Sequence, residues 1–167
     1  MHYISLLFRD KLLDRVAQAI DEVEYYSHKL AIIVLSTDER QELESGLIED
    51  GITFINVSKL LSKKLVSLSI NERICQIEDL FVDVAADCGK DKWLTKLDIF
   101  CEPSLQTDIL SLLKWLSKSQ LIVAIWPGCI EGSSLVYAKP GSQDYRTYSL
   151  NELKNIQVIN ACNGVIK

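Results

Sequence analysis

A chain of 167 residues, 48% hydrophobic and 25% charged, has the size and composition to bury one continuous core, which argues against disorder and against a second independent domain. Its formal net charge of −5 excludes a surface that is basic overall and so neutralises phosphates along its whole length. No apolar run reaches the roughly 18 residues of a membrane span, and Arg9, Asp10 and Lys11 break the stretch where a signal peptide needs apolarity, so a soluble cytoplasmic protein is expected.

Leu6, Leu12, Leu13, Val16, Ala19, Ile20 and Val23 recur at helical spacing, which predicts an N-terminal amphipathic helix from Ser5 to Tyr26, within residues 1–28. The run from Leu30 to Leu35 is too short for a buried helix and reads as a strand covered on both faces. Ser36 followed by Glu39 has the form of a capping box, with a short helix over Gln41 to Ile48 ended by Asp50-Gly51. Ile52 to Val57 predicts a second strand, Ser58 a cap for a basic helix through Leu65, and Ser69 or Asn71 the start of a helix to about Cys88.

Trp93 to Cys101 has strand character, and Pro103 suits the start of a helix whose stripe is Leu105, Ile109, Leu112, Leu113 and Leu116. Gln120 to Trp126 reads as a buried strand, Pro140-Gly141 as the turn of a hairpin within residues 132–148, and Gln157 to Ile159 as a last strand. Strands alternating with helices predict a single α/β domain over 1–167: three layers, a mostly parallel sheet, and a C-terminal β-hairpin adding an antiparallel edge.

In such a sheet ligands bind beyond the carboxyl ends of the strands, so the turn after Leu35 is the first candidate site. A phosphate-cradling loop there needs glycines, a lysine and a hydroxyl in G-x-x-x-x-G-K-[ST], and Leu35 to Glu42 supplies no such pattern. Asp38, Glu39 and Glu42 would repel an anion at that helix N-terminus. Lys59, Lys63 and Lys64, with Arg73 if the next helix folds back, form a candidate anion or nucleic-acid patch, or simply a solvated helix face. Trp126, at a strand end, reads as a packing residue or as part of a candidate partner surface, Tyr137, Tyr145 and Tyr148 on the hairpin, with Arg146, as cross-strand contacts or part of that surface, and Trp115 as core or helix packing. Cys75, Cys88, Cys101, Cys129 and Cys162 contain no C-x-x-C pair and read as reduced, mostly buried thiols. With His2 and His28 as the sole histidines, neither a metal centre nor a catalytic residue is predicted.

The order Phe54-Ile55-Asn56-Val57, Leu61 to Leu65, Arg73, Glu102 to Gln106, Trp126-Pro127-Gly128, Tyr137 to Gly141 and Tyr145-Arg146 resembles BrxF, the small P-loop protein family of BREX type 3 bacteriophage-exclusion systems. The resemblance covers Leu30 to the C-terminal strand and implies a P-loop NTPase-like fold and a role in antiphage defence. Set against the family's pattern the chain is degenerate: Ser36, Thr37 and Asp38 stand in the Walker A loop, Thr95 at the Walker B aspartate and Asp98 at the acidic residue after it. The expectation is a non-catalytic assembly or regulatory protein without ATP or magnesium. Its partners would be other proteins of the system or a second copy of itself, with DNA reached indirectly. An ATPase with a non-standard or partner-completed site, and a nucleic-acid module using the lysine patch, are the alternatives.

Overall fold

The computed structural model describes residues 6–162 and 166–167. Its elements are α1 (Leu6–Val23), β1 (Leu30–Leu35), α2 (Arg40–Glu49), β2 (Thr53–Asn56), α3 (Val57–Leu65), α4 (Ile70–Ala85), β3 (Lys92–Thr95), α5 (Ile109–Leu116), β4 (Ile122–Ile125), β5 (Cys129–Glu131), β6 (Ser134–Tyr137), β7 (Arg146–Tyr148) and β8 (Gln157–Ala161). Five strands form one parallel sheet in the order β2-β3-β4-β1-β8, so β1 is interior, with Ile33 opposite Ile125 of β4 and Ile159 of β8.

Alternation along β1 divides the core. Leu30, Ile32 and Val34 face a layer built from α3, α4 and α5, whereas Ala31, Ile33 and Leu35 face α1 and α2. All six β1 residues are buried, as a strand with helices on both faces requires. The three-layer α/β expectation therefore holds, and no helix among the described residues is long and apolar enough to cross a membrane.

Local signals account for several boundaries. Ser69 and Glu72 form a reciprocal capping box at the start of α4, which holds the Glu72 carboxyl below its ordinary range. The α2 helix ends in a Schellman motif: Ile52 N–H donates to Leu47 O at 2.9 Å and Gly51 N–H to Ile48 O at 3.0 Å, with Gly51 at φ +96°.

Other boundaries differ from expectation. Ser36 and Glu39 make no capping box: residues 37–39 turn first, and Glu39 precedes α2 in a helical conformation with no side-chain cap. Asn56, not Ser58, caps α3 by accepting from Lys59 N–H. The strand predicted to Cys101 stops at Thr95, because Lys96 turns left-handed (φ 57°) and Leu97–Cys101 coils into a 3-10 helix. Pro103 opens only a three-residue 3-10 turn, and α5 starts at Ile109, capped by Asp108 accepting from Ser111 N–H.

The predicted hairpin exists as β6 and β7, but it does not extend the parallel sheet. It joins β5 in a separate three-stranded antiparallel sheet. Gly128 permits this arrangement, because a Cβ there would lie 1.9 Å from Val136 O.

Candidate functional site

The carboxyl ends of β1 and β4 lie side by side, and the chain itself covers them. Arg40 Nη2 donates to Leu35 O at 3.4 Å and to Trp126 O at 3.3 Å, bridging the last residue of β1 and the residue that follows β4. Carbonyls at strand ends lack ladder partners, and a guanidinium supplies donors in a fan that reaches two of them. Arg40 is half-buried, and its Nε is buried with no hydrogen-bond partner among the described residues.

Thr37 and Asp38 are exposed on the turn ahead of Arg40, with Ser36 and Glu39 half-buried. Carboxylates from Asp38, Glu39 and Glu42 therefore gather at the start of α2, where a bound polyphosphate would need backbone donors and positive potential. The remaining two candidate nucleotide positions stand elsewhere. Thr95 is buried at the end of β3, and Asp98 is exposed in the 3-10 turn beyond it. The strand β4 separates β3 from β1, so the turn after β1 and the residues after β3 belong to non-adjacent strands.

Asp98 instead shares a cavity of about 300 Å3 with Tyr137, Asp144, Glu102 and Ser58. Burial first, then the nearby thiol and carboxylates, push the Tyr137 phenol above its ordinary value. Lys96 carbonyl oxygen, at the turn beside Asp98, accepts from Ser58 N–H at 3.1 Å and Ser58 Oγ–H at 2.6 Å, tying β3 to α3. Among the described residues no group of three or more His, Cys, Asp or Glu is placed to hold a metal ion. His28 Nδ1 donates to Lys114 O at 2.9 Å, and His2 lies outside the described residues.

Trp126 is core, not partner surface. Its side chain is 0% exposed, its Nε1–H donates to Val136 O at 2.9 Å, and its ring meets Tyr148 edge-on at 5.6 Å. Tyr148 in turn donates its hydroxyl to Asp108 Oδ2 at 2.8 Å. Burial, followed by the hydrogen bond to Asp108 and its charge, raises the Tyr148 phenol far above its ordinary value. The small sheet is thus pinned over the end of β4 by one indole and one phenol.

Of the other hairpin residues, Tyr137, Tyr145 and Arg146 are all half-buried, and Arg146 Nη1 donates back to Tyr145 O at 2.9 Å. Lys59, Lys63 and Lys64 are exposed along α3, but Arg73 does not join them: its Nε donates to Leu65 O and Leu68 O, both at 3.0 Å, closing the end of α3. Trp115, expected as core or helix packing, is 46% exposed and so not core, and it lines a cavity with Ile74 and Ile77 of α4.

The thiols also depart from expectation, since only Cys101 is buried while Cys75 and Cys129 are exposed. Burial pushes the Cys101 thiol up to about 12 and the Cys88 thiol up to about 11. Sequence reasoning missed Arg40 as the residue that fills the strand ends. Its only local signal is a cation placed directly after an acidic turn. No protein-family model, curated protein or solved structure matches this chain.

Proposed function

We propose that this chain is a non-catalytic, P-loop-like protein that serves as an assembly or regulatory component of a BREX-type antiphage system. Arg40 is the observation that carries the non-catalytic part. Its guanidinium bridges Leu35 O and Trp126 O at the end of the interior strand β1, and Asp38 and Glu39 stand in front of it. An ATP polyphosphate placed after β1 would meet carboxylates where it needs N–H donors, and no lysine of the required spacing. The P-loop-like fold is supported by an interior parallel strand that runs through a short turn directly into a helix. The defence role rests on the ordered resemblance to the BrxF family, with Trp126-Pro127-Gly128 now given a physical task in seating the small sheet.

Such a protein acts through its surfaces, and its partners are the other proteins of the system. Pull-downs with the co-encoded proteins are expected to recover at least one of them, and calorimetry with ATP and magnesium is expected to show no micromolar binding in the wild type or in Arg40→Ala. Micromolar ATP binding abolished by changing Thr37 or Asp98 would replace this reading with the ATPase one. DNA or RNA binding that is lost at high salt and on neutralising Lys59, Lys63 and Lys64 would replace it with the nucleic-acid module.

A further inference from the structure

A groove opens between α4 and α5 because their lengths differ: α4 has 16 residues and α5 only 8. Ahead of α5, the 3-10 turn Pro103–Leu105 and the left-handed Gln106 (φ 52°) lie against α4 in place of a helix. The result is a cavity of about 360 Å3 whose floor is Ile74, Ile77, Leu105 and Leu112. Ile70, Ile74 and Ile77 follow one another at helical spacing, and this stripe runs outward from the core: Ile77 is buried, Ile74 half-buried and Ile70 63% exposed.

Trp115 of α5 lines the same cavity and is 46% exposed, whereas Trp93 and Trp126 are 0% exposed. A half-exposed indole over an apolar floor is the kind of residue that anchors protein interfaces. The two charged residues of the lining, Glu78 and Asp108, are both acidic. Asp108 is occupied by Ser111 N–H and the Tyr148 hydroxyl. Glu78 is exposed and engages no hydrogen bond or ion pair among the described residues.

The neighbouring cations are committed elsewhere or stand outside the lining. Arg73 of α4 holds the carbonyls of Leu65 and Leu68, and Lys114 Nζ donates to the Glu152 carbonyl. Lys29, tied by its N–H to Ser117 O, and Lys118 lie past the end of α5, and neither lines the cavity. A carboxylate without a partner next to an indole is complementary to a guanidinium, which pairs with the one and stacks on the other.

We propose that this groove docks a segment of a partner protein that presents an arginine beside an apolar side chain, the guanidinium between Glu78 and Trp115 and the apolar group on Ile74 and Leu105. The inference rests on the reading of the chain as a protein that acts through its surfaces, and it names one of those surfaces.

The test is a titration of the full chain with a twelve-residue, end-capped alanine-based peptide carrying leucine, arginine and leucine at helical spacing. Trp115 is the exposed indole, so its emission reports occupancy of the groove. Saturable binding with Kd below about 1 mM is expected. Citrulline in place of the arginine should weaken binding about five- to tenfold, and glutamate should abolish it. Glu78→Gln should weaken the arginine peptide about threefold and leave the citrulline peptide unchanged, an interaction that misfolding does not mimic. Trp115→Ala, followed by calorimetry and with its urea midpoint checked, should lose at least about tenfold. No saturation by about 1 mM, equal binding of the arginine and glutamate peptides, or equal weakening of the arginine and citrulline peptides by Glu78→Gln would overturn the proposal. Self-association of the chain that is lost in Trp115→Ala would seat a second copy in the groove and overturn it too. Recovery of a co-encoded protein equally by wild type and by Trp115→Ala would leave the assembly reading standing and remove this surface from it.

Discussion

The strand ends of β1 and β4 are filled by the protein's own side chains, whereas the outer flank of β8, the next strand over from β1, leaves about 470 Å3 open. At the closed place backbone carbonyls require donors, and Arg40 supplies them from the first residue of α2 while the Trp126 indole supplies another to Val136 O. At the open place the walls are apolar side chains with no such requirement, and the two sheets diverge without a helix between them. Polar groups left at strand ends draw the chain onto themselves. Apolar walls of adequate stiffness need not collapse, because each sheet is held by its own ladder.

The largest effect that would break this contrast is at Trp126. Trp126→Ala removes a side chain with 0% exposure together with the donor to Val136 O, and should cost about 3–5 kcal/mol, read as a lower urea midpoint with unchanged slope. A cost below about 1 kcal/mol would mean that the small sheet is not seated by this residue. Arg40→Ala should cost about 1–2 kcal/mol in the same measurement, since its two hydrogen bonds, 3.4 and 3.3 Å, are charge-assisted but long.

Tyr148→Phe is expected to cost about 1 kcal/mol near neutral pH, because the Asp108 carboxylate keeps its bond to Ser111 N–H and loses one partner. The pH dependence carries a definite sign. Folding raises the Tyr148 phenol pKa, so that contribution is fully present below the unfolded value of about 10 and is lost as pH rises above it. The stability gap between wild type and Tyr148→Phe should therefore narrow in alkali. A gap that stays constant from neutral pH to about pH 11 would refute the buried neutral phenol.

At the open flank, Ser133→Trp should change stability by no more than about 0.5 kcal/mol, since residue 133 is exposed. A large loss there would show that the β5–β6 turn is packed closed in solution and that the contrast between the two places is false.

Elements whose causes lie within a few residues were legible beforehand. The continuous apolar run of β1, the stripe of α1 and a helix start at Ser69, one of the two positions expected, are all set by periodicity or by contacts three to four residues apart. The same type of signal misled at Ser36 and Glu39, where a turn intervenes before α2 begins. It also misled at Cys101, where the left-handed Lys96 ends β3 and has its carbonyl held by Ser58, 38 residues earlier. The candidate site was half legible: the absence of glycine after β1 is a fact of composition, but the carbonyls that Arg40 reaches are not.

By itself the sequence determined that strands and helices alternate around a buried parallel sheet and that no phosphate-cradling motif follows β1, because both depend on local spacing and residue type. Only the tertiary structure decided that Arg40 bridges two strand ends, that Trp126 is interior, that the hairpin joins a second sheet and that a cavity opens beside β8. Those outcomes join residues far apart in the chain, such as Arg40 and Trp126, 86 positions from one another. Their pairing is fixed by strand order and by where one backbone can approach another, which no local pattern encodes.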